Sequence, residues 1–92
     1  MVNRLILGKR LDSAAALQLR DDLAGFEGRT LTLDASKVDL LGGLCLELLL
    51  VARQIWTRAG HTFSVENPSQ GFTEHLARLG LLPEDLNSGE TA

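Results

Sequence analysis

Few residues in this chain could act on a substrate. One cysteine, Cys45, and two histidines, His61 and His75, are the only thiol or imidazole groups. None falls at a paired metal-ligand spacing, so no metal site is expected. Cys45 lies on the core side of a predicted long helix, where a thiol packs as a small apolar group. His61 follows Gly60 in a turn and His75 sits on the last helix; both read as surface histidines. Asp34 and Asp39 bracket one loop and could form a carboxylate pair, but a solvated loop explains them better. Gly42-Gly43 precede a helix, and free amides at a helix start attract anions. No Lys-Ser/Thr follows these glycines and no G-x-G-x-x-G is present, so they read as a tight turn into the helix. No Ser-His-Asp or Cys-His arrangement is convincing. The expectation is a protein without catalysis, cofactor or metal.

The elements that position these residues come from one small domain. The chain has 92 residues, and the domain is expected over residues 1–86, with a flexible polar tail at 87–92. Hydrophobic residues make up 45% and charged residues 23%, as in a globular protein. Twenty leucines against four aromatics predict an aliphatic core with little stacking. A net charge of −3 argues against a nucleic-acid footprint. No apolar run reaches the roughly 18–20 residues of a membrane span, and Met1 to Arg4 opens no signal peptide. The expected place is the cytoplasm, without direct membrane insertion. A single cysteine excludes an internal disulfide.

Arg4 to Leu7 reads as a short strand, and Gly8 to Leu11 leads out of it. Asp12 or Ser13 can cap a helix over Ala14 to Ala24, with Ala16, Leu19 and Leu23 at helical spacing. Thr30 to Asp34 is a second strand, in which Leu31 and Leu33 alternate with threonines. Ala35 to Leu41 is a loop with an apolar second half. The longest helical pattern runs from Leu44 to about Ala59. Thr62 to Glu66 is a third strand. Ser69 can cap a last helix, whose stripe is Phe72, Leu76 and Leu79. Leu81 to Leu86 adds at most a turn. The order β-α-β-α-β-α implies crossovers and parallel pairs, with helices on one face or both.

At about 100° per residue, the long helix gathers Cys45, Leu48, Leu49, Ala52, Ile55 and Trp56 on one side. Glu47, Gln54 and Arg58 lie opposite. Leu46 and Leu50 fall outside the core arc, next to Arg53 and Thr57. Either another part of the chain covers them, or they form an exposed apolar patch for a protein partner.

The segment Thr32-Leu33-Asp34-Ala35-Ser36-Lys37-Val38-Asp39-Leu40-Leu41-Gly42-Gly43-Leu44-Cys45-Leu46 resembles the core of the STAS domain. That family includes bacterial anti-sigma-factor antagonists and C-terminal domains of sulfate transporters. Gly8-Lys9-Arg10-Leu11-Asp12 is similar to the family's entry to its first helix. Asn67-Pro68-Ser69 and Leu79-Gly80-Leu81 are similar to its last helix. The resemblance runs from about Leu5 to Leu82. It implies an α/β fold, with a mixed β-sheet of about four strands and three to four helices packed on one side. It also implies a phospho-acceptor hydroxyl at the start of the long helix. Here the family's Asp-Ser-Ser/Thr-Gly becomes Gly42-Gly43-Leu44-Cys45, so no acceptor stands in the Leu44 region. Ser36 matches a structural serine of the family and is the alternative acceptor.

Small STAS proteins with this Leu-Gly-Gly-Leu-Cys-Leu stretch resemble those accompanying bacterial chemotaxis kinases. The resemblance therefore implies a cytoplasmic signalling adaptor that binds a histidine kinase, response regulator or kinase-like ATPase. The expected surface is Asp39, Gly42, Gly43, Leu46, Leu50 and Arg53. On that expectation, Leu46→Arg abolishes binding and leaves the fold intact. The alternatives are a cytoplasmic STAS subunit of a lipid ABC transporter, or a conventional anti-sigma-factor antagonist.

Overall fold

The computed structural model describes residues 3–87. β1 (Asn3–Ile6) leads through β2 (Arg10–Leu11) and a 3-10 turn (Ser13–Ala15) into α1 (Ala16–Ala24). β3 (Leu31–Asp34), β4 (Leu40–Leu41) and α2 (Gly43–Ala59) follow. Then come β5 (Phe63–Glu66), α3 (Gln70–Ala77) and a second 3-10 turn (Pro83–Leu86).

Strand alternation gives the sheet one dry face and one polar face. The strands lie in the order β1-β3-β5, and both pairings are parallel. Leu31, Leu33 and Phe63 are fully buried on the helix side. The register aligns Arg4 with Thr32 and Ser64, and Ile6 with Asp34 and Glu66, on the other side. There the Thr32 and Ser64 hydroxyls approach to 3.4 Å. The three helices share the apolar side, which settles the choice between one covered face and two.

The expected mixed sheet is not seen. All three pairings among the described residues are parallel. Each joins strands linked by a crossover, and a crossover returns the chain in the same direction. A second sheet of two strands, β2 and β4, pairs Arg10 with Leu40 and Leu11 with Leu41. It arises in stretches that read as a lead-out and a loop, because two residues carry no periodic signal.

The core is aliphatic, as twenty leucines predict. α1 contributes Ala16, Leu19 and Leu23; α2 contributes Cys45, Leu46, Leu49, Ala52 and Trp56; α3 contributes Phe72 and Leu76. Trp56 tilts against Phe63 with centroids 5.4 Å apart, and its Nε1 donates to the Arg29 carbonyl at 2.6 Å. That bond ties the end of α2 to the turn leading into β3.

The chain ends its elements with local chemistry. Asp12 Oδ1 accepts from Ala15 N at 3.2 Å, and Ser69 Oγ accepts from Phe72 N at 3.0 Å. Each satisfies an amide that the first turn leaves unpaired. α2 stops at Gly60, whose φ of 79° is left-handed and favours a residue without Cβ. α3 stops at Ala77, so Leu79 is not part of its buried stripe and stays 62% exposed. The expected tail at 87–92 lies outside the described residues except for Asn87. Asn87 Oδ1 accepts from Val65 N at 2.9 Å on the outer edge of β5.

Trp56→Phe keeps most of the apolar volume and removes the bond to Arg29. It is expected to destabilise the fold by about 1–3 kcal/mol, read as a lower urea midpoint at unchanged slope.

Candidate partner-binding site

The loop between β3 and α2 is held from four directions. Asp34 ends β3 and is only 8% exposed. Its Oδ1 accepts from Ser36 N at 2.9 Å, which closes a side-chain turn. Its Oδ2 accepts from Arg4 Nη2 at 2.7 Å, and Arg4 also pairs with Glu66. The Ser36 backbone amide, then the Ser36 hydroxyl and Arg4, lower the Asp34 pKa to about 2. Asp34 is thus a structural anion, not one of two solvated loop carboxylates. Asp39 is the solvated one, exposed and 3.8 Å from Lys9 Nζ.

Val38 is fully buried and pins the loop's middle. Its carbonyl accepts from Ser69 Oγ, while Ser69 N donates to the Ala35 carbonyl at 3.1 Å. Asp39 N donates to the Lys9 carbonyl at 2.8 Å. Gly71, in the first turn of α3, lies against this loop. A Cβ there would meet the Asp39 carbonyl oxygen at 2.7 Å and that of Val38 at 3.0 Å. Only glycine permits that approach.

The β2–β4 pair then sets the start of α2. Gly42 N donates to the Leu11 carbonyl at 2.8 Å, and a Cβ on Gly42 would stand 3.1 Å from that oxygen. No side chain caps the helix. Gly43 faces open space.

The expected surface residues separate here. Asp39 and Gly43 are exposed, and Gly42, Leu50 and Arg53 are half-buried. Leu46 is not on the surface; it is 4% exposed and belongs to the core. α2 has α1 on one side and the turn at Pro83–Leu86, with fully buried Leu86, on the other. With neighbours on both flanks, the buried arc is wider than a single stripe and takes in Leu46. Ile55, expected in the core, is instead 40% exposed, together with Leu44 and Val51. A helical wheel gives the width of an apolar arc but not where its neighbours sit.

Arg53 Nε is buried without a hydrogen-bond partner. Ser36 is exposed. Cys45 is buried, and its Sγ donates to the Asp12 carbonyl at 3.4 Å. Burial, then the Asp12 charge, pushes its thiol pKa up, away from nucleophilic use. His75 Nδ1 lies 2.7 Å from the Gly71 carbonyl, within its own helix. Among the described residues, no group of three His, Cys, Asp or Glu side chains could hold a metal ion. No helix among them is long and apolar enough to cross a membrane. Gly71 and the second role of Ser69 gave no signal in the sequence beyond a helix start.

Residues 2–82 match the family described as "Mlab, STAS domain". The chain belongs to the STAS domain family. No curated protein and no solved structure matches it. In this STAS domain the stretch after β3 keeps the Asp-x-Ser turn as Asp34 and Ser36. The first turn of α2 carries Gly43, Leu44 and Cys45, without a hydroxyl.

Asp34 has its folded pKa below the ordinary value, so its contribution to stability is complete above about pH 4. It is lost as pH falls through about 2. Chemical denaturation across that range is expected to show an acid limb, and Asp34→Asn to flatten it. Gly71→Ala is expected to lower the melting temperature, while Gly43→Ala raises stability by about 0.4–1 kcal/mol. Leu46→Arg buries a guanidinium and is expected to unfold the domain by circular dichroism.

Proposed function

We propose that this STAS domain is a non-enzymatic signalling adaptor in the cytoplasm. It binds a histidine kinase, response regulator or kinase-like ATPase through the loop before α2 and one flank of that helix. Gly43, Leu50 and Arg53 form the docking flank, with Asp39 and Gly42 at its edge. The observation that carries this reading is Arg53 Nε, a buried donor without an acceptor. An orphaned donor costs about 1–3 kcal/mol, which is recovered when the Arg53 side chain turns outward to meet an incoming carbonyl or carboxylate. Leu50, one helical turn away and half-buried, supplies adjacent apolar contact.

Family membership supports the binding role, and the Gly42-Gly43-Leu44-Cys45 sequence supports a surface not gated by phosphate. Phosphorylation would add about −1.5 to −2 charge at such a surface. Without an acceptor there, the surface is always available. Its effect on the partner is a shift between partner states, set by differential affinity.

Tagged protein captured from its native lysate is expected to bring down a soluble kinase or response regulator. Arg53→Glu and Leu50→Glu, each verified as folded, are expected to lose it. Retention of that partner by both variants would overturn the site. A permease with its ATPase in the captured fraction would assign the domain to a transporter instead. Phosphate on Ser36 would favour the anti-sigma-antagonist reading.

A further inference from the structure

The face between α1 and α2 is a second, separate surface. Both helices connect parallel strands, so both run back against the strands and parallel to each other. A groove of about 130 Å³ lies between them, lined by Arg20, Ala24 and Glu27 on one wall and Leu48, Val51 and Ile55 on the other. Leu44, Val51 and Ile55 are 49%, 47% and 40% exposed, at positions i, i+7 and i+11 of α2. Leu17, 65% exposed, lies one heptad before Ala24 on the same side of α1. Glu47 and Gln54 separate this face from the Gly43, Leu50 and Arg53 flank.

The charges on this face are arranged end to end. On the α1 wall, Arg20 lies beside Asp21 on the helix, and Glu27 stands in the turn just past its end. Along α2 the sign runs from Glu47 to Arg58, negative to positive. All four are exposed. A twofold axis that lays α1 antiparallel on α1 of another copy puts Arg20 on Glu27 twice. It lays α2 on α2 with Glu47 on Arg58 twice. Arg20 has only a loose contact with Asp21, at 3.7 Å between exposed side chains, to give up. The antiparallel arrangement also opposes the helix dipoles.

We infer that this face binds a second copy of the chain, forming an isologous dimer through α1 and α2. A self-complementary patch is what a twofold interface requires. The apolar stripe supplies the dry centre and the four charges supply the rim that sets the register.

Sedimentation equilibrium over a concentration series, at low and high salt, tests this. The expected result is a reversible dimer that loosens as salt rises. Val51→Glu and Ile55→Glu, with unchanged far-ultraviolet circular dichroism, are expected to be monomers. Arg20→Glu is expected to weaken the dimer roughly tenfold. Adding Glu27→Arg to it is expected to restore the affinity, because the swapped pair is again complementary. A wild-type protein that stays monomeric at every concentration overturns the inference. So does a dimer that survives both Val51→Glu and Ile55→Glu, or one that Arg20→Glu leaves unchanged.

Discussion

The close approach of two backbones governs this domain. The first turn of α3 sits against Val38 and Asp39 at a distance that leaves no room for a Cβ on Gly71. Ser69 fastens the same contact, since its hydroxyl donates to Val38 while it accepts from Phe72. This contact holds β4 beside β2. β4 in turn delivers Gly42 to the Leu11 carbonyl and starts α2 at a fixed place. The position of the candidate surface therefore depends on a helix that contributes none of its residues.

The side chains best suited to chemistry have been drawn into the scaffold. Asp34 neutralises Arg4 and turns the chain after β3. Cys45 is a buried apolar contact with a weak bond to the Asp12 carbonyl. His75 faces a carbonyl of its own helix. Outside lie exposed leucine, valine and isoleucine with charges at their rim, beside the solvated Asp39 and Ser36. Such a surface suits recognition, where shape and burial carry the energy.

Much of this was legible in the sequence, for physical reasons. Asp12 and Ser69 could be read as caps because a short oxygen-bearing side chain at a helix start has one main use. β3 could be read because Leu31 and Leu33 alternate with β-branched residues. The β2–β4 pair could not, since two residues have no period. Leu46 and Ile55 exchanged roles because burial on a helix depends on which elements flank it. In α2 those are α1 and the turn at Pro83–Leu86, which are distant in the chain. Gly71 looked like any helix-start glycine, and its necessity appears only when the Asp39 carbonyl is placed against it.

The all-parallel pairing has a kinetic consequence. Neither pair of the main sheet can form by local zipping, because no hairpin joins its strands. Arg4 must find Thr32, and Thr32 must find Ser64, each across about thirty residues. Both closures share β3, so neither outer strand gains sheet bonds until that segment is in place. Non-local pairing of this kind slows folding relative to helical chains of similar length. It also makes β3, with Leu31 and Leu33 at the centre of the core, the segment on which the order of folding events turns.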